Sequence, residues 1–290
     1  MQKTSSSSQT SYNCTQQNEF PLVSVVITTK NEEKNIENCL RSIREQTFAG
    51  VELIVVDNFS EDRTAEIAKQ YDAKVYFKGN ERSAQRNYGA EVASGKYLLY
   101  LDADMILSPS LIEDCMEKSE CAGVDALYIP EKIVGKGFWV KVRDFERSFY
   151  TGTVIDAVRF LKRQLFLDVG GFDEALVGPE DWDFDRKIRQ VARTSVADVS
   201  LYHNEGKFDS SRYLKKKGYY SVGIQKYVEK WGSSDKETLK QTGLRYRMIG
   251  VFVEQGKWKK LFRHPILTIA MYCLRFRVAL QYYKNRSKKT

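Results

Sequence analysis

What this 290-residue chain lacks narrows what it can be. No pair of its five cysteines (Cys14, Cys39, Cys115, Cys121 and Cys273) has C-x-x-C spacing, and their number is odd. That pattern excludes a finger-type zinc site and argues against a disulfide framework, so reduced thiols acting as small hydrophobes are expected. The opening MQKTSSSSQTSYNCTQQNE has no apolar core, so no secretory signal is expected, and its Ser, Thr, Gln and Asn predict a disordered tail over 1–20. Neither G-x-G-x-x-G after the first apolar run nor G-x-x-x-x-G-K-[ST] anywhere is present, which excludes a Rossmann or Walker phosphate loop. Internal repeats are absent too. Finally, acid is missing from one region: residues 257–290 hold ten Lys or Arg and no Asp or Glu. The whole chain has a net charge of +8, so the first 256 residues have −2, and the basicity belongs to the C-terminal region.

What is present describes a folded protein, with 42% hydrophobic and 12% aromatic residues. The length suits one large α/β domain, or one domain with an appendage. LVSVVIT is a β-branched run without a polar face, the pattern of a strand buried on both sides. In KNEEKNIENCLRSIREQ, Ile36, Leu40 and Ile43 recur at helical spacing, with Glu32 and Glu33 at the end where the dipole favours acids. A strand ELIVVD, a helix over about 63–71, a strand AKVYF, a helix ending at Gly95 and a strand YLLYLDAD follow. This alternation predicts a mostly parallel sheet flanked by helices. Further on, helices are expected over SLIEDCMEKSE and WVKVRDFERSFYTG and a strand over DALYIP. RFLKRQLFLDVGGFDE reads as a helix or turn stopped by Gly170 and Gly171, and TSVADVSLYH as a final strand ending at His203.

Open parallel sheets bind ligands beyond the carboxyl ends of their strands. Polar residues gather at those ends: Thr28, Lys30 and Glu32 after the first, Asp57 and Asn58 after the second, Asp102 and Asp104 after the fourth, His203 after the last. Asp102 and Asp104 alone are either turn residues or ligands for a hard divalent cation. A cation held there would neutralise a bound diphosphate, replacing the missing phosphate loop.

Four segments in order, VSVVITTKNEEKNI, LIVVDNFSEDRT, SAQRNYGAEVASGKYLLYLDADM and VGGFDEALVGPEDWDF, resemble the family-two glycosyltransferases over about residues 21–230. The resemblance implies a GT-A-type, Rossmann-like α/β fold and an inverting transfer from a nucleotide-diphosphate sugar to an acceptor hydroxyl. It implies nucleotide-sugar contacts from Thr28, Lys30, Glu32, Asp57, Arg86 and Asp102. Asp104, Asp102 and His203 would hold Mg²⁺ or Mn²⁺. Asp181 would be the catalytic base with Glu180 as the alternative, since an acceptor hydroxyl needs deprotonation. Arg159 and Trp182 would face the acceptor. Lys30 stands where the family's P-T-Y-N-E has an aromatic, the motif here reading T-T-K-N-E.

The domain division expected is a tail to 20, a GT-A domain over 21–230 and a basic amphipathic helical extension over 231–290. In that extension the longest uncharged run, PILTIAMYCL, is too short to span a bilayer. Its mixture of basic, aromatic and aliphatic residues suits a helix lying on an anionic membrane surface, the alternative being a helix packed on the domain. Lys215, Lys216 and Tyr219 could meet a lipid diphosphate. A cytoplasmic protein peripheral to the inner face of the cell membrane is therefore expected, acting on a glycan or lipid-linked acceptor. No nucleic-acid recognition module accompanies the charge, so nucleic acid is not an expected partner. Two other functions remain: a polyprenyl-phosphate sugar synthase, and a non-catalytic scaffold that binds a nucleotide sugar.

Overall fold

The computed structural model describes residues 22–220 and 223–287; the tail expected over 1–20 lies outside them. The first half alternates as expected: β1 (Val23–Thr29), α1 (Ile36–Arg44), β2 (Val51–Asp57), α2 (Thr64–Gln70), β3 (Lys74–Phe77), α3 (Arg82–Val92) and β4 (Tyr97–Asp102). Next come β5 (Met105–Leu107), α4 (Leu111–Cys121), β6 (Ala126–Tyr128), β7 (Glu131–Lys136) and α5 (Phe138–Arg147). They lead to β8 (Phe160–Lys162), α6 (Arg163–Asp168), α7 (Glu180–Val191), β9 (Thr194–Val196) and β10 (Leu201–Lys207).

Seven strands form one sheet in the order β3-β2-β1-β4-β8-β6-β9, and β5-β10-β7 form a smaller second sheet. Only β8 runs antiparallel to its neighbours in the large sheet. The strand period of two sends Val25, Ile27, Leu99 and Leu101 to one face, where they meet Ile36, Leu40 and Ile43 of α1. Val26, Ile54, Val56, Leu98 and Tyr100 go to the other face and meet Phe166, Phe172, Phe184 and Ile188. Covered on both faces, the central strands read as continuous apolar runs.

Four boundaries differ from the sequence expectation. α1 begins at Ile36, so Glu32 and Glu33 lie in the loop before it. α3 ends at Val92, because the chain must pass tightly beside β1: a Cβ on Gly95 would lie 2.7 Å from the Ser24 nitrogen. Phe160–Lys162, inside the segment expected as helix or turn, is the antiparallel strand β8 between β4 and β6. The strand expected over 194–203 is two strands in different sheets. The backbone N–H groups of Asp198 and Val199 donate to Asp114 Oδ2, fixing the turn between β9 and β10.

The remaining helices are α8 (Ser210–Tyr220), α9 (Ile224–Trp231), α10 (Lys236–Thr242), α11 (Val251–Val253), α12 (Trp258–Arg263) and α13 (Pro265–Ser287). A third apolar cluster joins Val142, Phe145 and Phe149 to Val251, Phe252 and Met271, so α13 is packed along α5. Arg275 of α13 reinforces this contact through a buried 2.5 Å bond from its guanidinium to Glu146. No helix among the described residues is long and apolar enough to cross a membrane.

Candidate functional site

Register places the first group of residues. Parallel pairing sets Thr28 beside Asp102 and Thr29 beside Asp57, so the ends of β2, β1 and β4 form one edge. Successive strands run β1, β2, β3 to one side while β4 lies on the other, and the crevice opens at that reversal. Asp57 is fully buried, and its carboxylate accepts from the Ser60 backbone at 2.9 Å and the Ser60 hydroxyl at 2.5 Å. The Asn31 N–H donates to the same Ser60 oxygen at 2.8 Å, which ties the loops after β1 and β2 together. Lys30 is exposed at the end of β1. Glu32 accepts from Asn35 at 2.7 Å, and its partial burial pushes its carboxyl upward.

Arg86 is the hub of the crevice. It is 1% exposed, and its guanidinium sits 5.0 Å from the rings of both Tyr100 and Phe172. Nη1 donates to Asp181 Oδ1 at 2.7 Å and Nη2 to Asp102 Oδ1 at 3.0 Å. Burial would raise the Asp102 carboxyl, but Arg86 and Arg82 override it and hold it below the usual carboxylate range. Thr28 Oγ1 adds a 3.3 Å bond to the same Asp102 oxygen.

Arg86 therefore lies beneath the carboxylates, and the accessible guanidinium is that of Arg82. Arg82 donates to Glu180 Oε1 at 2.8 Å and lies 3.6 Å from Asp102, with its side chain 29% exposed. Sequence reasoning missed it. The signal was available, since Arg82 and Arg86 are four apart on α3 and must share a face.

The Glu180–Asp181 pair opens α7. Glu180 is buried, its Oε2 has no hydrogen-bond partner, and burial together with Asp181 pushes its carboxyl up. The Asp181 side chain is 32% exposed, so of the two acids it is the one that faces the crevice opening. Trp182 is half-buried: its N–H donates to the Ile155 carbonyl at 3.3 Å and its ring meets Tyr227 and Arg247.

The second sheet supplies the rest. β10 pairs antiparallel with β5, placing His203 opposite Met105 in mid-strand and not at a strand end. His203 Nε2 lies 3.0 Å from Asp104 Oδ2, and Nδ1 lies 2.9 Å from Glu131 Oε1. Burial would lower the imidazole pKa, but these two carboxylates raise it to about 10. Glu131 also receives Arg147 at 3.2 Å and Arg159 at 3.4 Å; despite its burial, Arg147 and His203 keep it well below the usual range. Arg159 thus belongs to a buried ionic group centred on Glu131, which had no signature in the sequence.

The donor set fits a divalent cation on one side only. Both Asp102 oxygens face arginines, whereas Asp104 Oδ1 is buried with no partner. Asp104 Oδ2 and His203 Nε2, 3.0 Å apart, have the separation of adjacent ligands placed about 2.1 Å from an octahedral ion. Glu131 orients the imidazole through its other nitrogen, as carboxylates commonly do behind ligating histidines. No group of three or more His, Cys, Asp or Glu converges among the described residues, so substrate oxygens and water would complete the shell.

Residues 24–167 match the family model described as glycosyl transferase family 2. An uncharacterized glycosyltransferase of Haemophilus influenzae is 28% identical over 184 residues, 58% of this chain and 62% of that protein. EpsJ of Bacillus subtilis, also an uncharacterized glycosyltransferase, is 32% identical over 150 residues, 50% of this chain and 41% of its own length. The chain thus spans less than two thirds of the length of these two relatives. The uncharacterized glycosyltransferase MJ1057 of Methanocaldococcus jannaschii is 30% identical over 205 residues, covering 62% of this chain and 68% of that protein. Among solved structures, the mannosyltransferase PcManGT of Pyrobaculum calidifontis, in complex with GDP-Man and Mn²⁺, aligns with a TM-score of 0.63 at 18% identity. That alignment covers 91% of this chain and 87% of PcManGT. S. aureus TarS 1-349 in complex with UDP-GlcNAc aligns with a TM-score of 0.55 at 18% identity, covering 92% and 91%. At these identities the likeness establishes the fold, the GT-A fold expected from the sequence.

Proposed function

The chain belongs to glycosyl transferase family 2, and from that premise we propose that it transfers a sugar, with inversion, from a nucleoside-diphosphate donor to an acceptor hydroxyl. The observation that carries this reading is the Arg86 bridge, which sets Asp181 beside the carboxyl edge where Asp57, Asp102 and Asp104 gather. In this reading the base of the donor lies toward Asp57, the ribose near Asp102 and Thr28, and the diphosphate before Arg82. Arg86 orients the Asp102 and Asp181 carboxylates and suppresses their repulsion. Asp181 accepts the proton of the acceptor hydroxyl as that oxygen attacks the anomeric carbon. The 2.7 Å bond from Arg86 fixes the orientation of the Asp181 carboxylate for that transfer. Mg²⁺ or Mn²⁺ on Asp104 and His203 would supply Lewis-acid neutralisation of the diphosphate leaving group. The Mn²⁺ in the Pyrobaculum neighbour supports that assignment. Trp182, which follows Asp181 and is half-buried, is assigned to the acceptor side, whereas Arg159 is held on Glu131 away from that role.

The division into a GT-A domain over 21–230 and a helical extension belongs to the same proposal. Phe262, Ile266, Ile269 and Phe276, each at least 60% exposed, lie along α12 and α13 beside Lys259, Arg263 and Arg277. That surface suits peripheral binding to an anionic membrane at the cytoplasmic face, and a lipid-linked or surface glycan as acceptor. The functional test is release of nucleoside diphosphate from UDP-, GDP- and dTDP-sugars with Mn²⁺ and a membrane extract as acceptor. Release from none of them would sink the enzymatic reading in favour of a binding scaffold.

A further inference from the structure

The carboxyl edge does not stop at Asp57. Phe77 closes β3 in register with Asp57, and Phe59 follows Asp57 by two residues. Their rings lie 6.0 Å apart at 23° to each other, yet remain 50% and 63% exposed. Single exposed hydrophobics are ordinary on protein surfaces, but a stacked pair of open rings at the rim of a polar crevice has a specific chemistry.

Phe59 is also held against its backbone preference. Its φ is +50°, the left-handed region that a bulky side chain disfavours. The surrounding loop enforces it. Ser60 is bonded to Asp57 on one side, and Asn58 Nδ2 donates to the Asn80 carbonyl at 3.3 Å on the other. The ring edge lies against Gly79, where a Cβ would approach Phe59 Cε2 to 3.3 Å. Such strain persists where the neighbouring structure over-determines it, and it concentrates at ligand sites.

Distance along the edge agrees. Neighbouring strands lie about 4.8 Å apart, so β2 and β3 stand roughly 10 and 14 Å from β4. A nucleoside diphosphate with its phosphates before Asp102 and Asp104 and its ribose over β1 therefore brings its base to the rim of β2 and β3. On the donor site proposed above, we infer that Phe59, backed by Phe77, is the platform on which the base of the donor stacks. The ring offers a π face to a planar base, an interaction every nucleobase can make.

The strained φ provides a fold-safe test, because glycine adopts that conformation freely. UDP, GDP and inorganic pyrophosphate are titrated calorimetrically, with Mn²⁺, into the full chain and its Phe59→Gly and Phe59→Tyr variants. Phe59→Gly is expected to weaken the better-bound nucleotide about tenfold, leave pyrophosphate binding unchanged and keep the melting temperature at or above that of the parent. Phe59→Tyr should retain nucleotide affinity. Unchanged nucleotide binding in Phe59→Gly, or an equal loss for pyrophosphate, would overturn the inference while leaving the donor site standing. Failure of the parent chain to bind any of the three would remove both.

Discussion

Arg86 Nη1 lies 2.7 Å from Asp181 Oδ1, joining two residues 95 positions apart inside a site where the same guanidinium also holds Asp102. A buried arginine between two carboxylates has its desolvation offset only while both partners remain. Arg86→Ala leaves Asp102 with the more distant Arg82 alone and should destabilise the fold by about 3 kcal/mol, read from urea unfolding. Arg86→Lys should recover little of that loss, because one ammonium cannot make the forked contact.

Asp181→Asn keeps the shape of the side chain and removes its basicity. Transfer to a hydroxyl acceptor should fall by about 10²–10⁴-fold, while calorimetric donor affinity changes by less than a few-fold. Nearly unchanged turnover would instead indicate an acceptor that is already ionised, such as a polyprenyl phosphate.

Asp104→Asn should abolish the enhancement of UDP or GDP binding by Mn²⁺, whereas Glu131→Gln, acting through His203, should weaken apparent Mn²⁺ affinity by about 10–100-fold. Metal titrations at fixed nucleotide distinguish them. Equal nucleotide binding with Mn²⁺ and with chelator in the parent chain would contradict a cation at this position.

Glu146 anchors α13 to α5. Burial would raise its carboxyl, but Arg143 and Arg275 hold it at about 2, below its ordinary value of 4.5. A depressed carboxylate stabilises the fold above its unfolded pKa, and that stability is lost as pH falls toward the folded value. Stability should therefore decline between pH 4.5 and about 2. Glu146→Gln should lower the melting temperature at pH 7 and flatten that acid limb in scanning calorimetry.

The outer face of α13 should be separable from its inner face. Ile266→Asp combined with Ile269→Asp alters side chains that are 72% and 66% exposed, so the melting temperature should move little. Co-sedimentation with phosphatidylglycerol vesicles should fall several-fold, and raised salt should weaken the binding of the parent chain. Equal sedimentation of parent and variant would exclude this face as the membrane contact.

The carboxyl edge was legible because parallel strands buried on both faces appear as unbroken apolar runs, and the topology brings their ends together. Thr28, Asp57 and Asp102 follow from that rule alone. His203 lies in mid-strand and not at the strand end that the sequence predicts, since nothing in TSVADVSLYH signals that the chain changes sheet after Val196. Strand β8 is three residues long and includes a lysine, too brief for a periodic signal. Glu131 was invisible for another reason. A buried acid is recognisable only through Arg147, Arg159 and His203, which approach it from separate elements.

The division of the candidate site between two sheets makes it depend on both. Asp102 ends a strand of the large sheet, and Asp104, two residues on, precedes β5 of the small one, whose central strand β10 arrives a hundred residues later. Asp104 is flanked by β10 twice over: its side chain lies against His203, and its carbonyl accepts from the Asn204 backbone N–H at 2.9 Å. A change that loosened β10 between β5 and β7 would part Asp104 from His203 while leaving the ends of β1, β2 and β4 aligned.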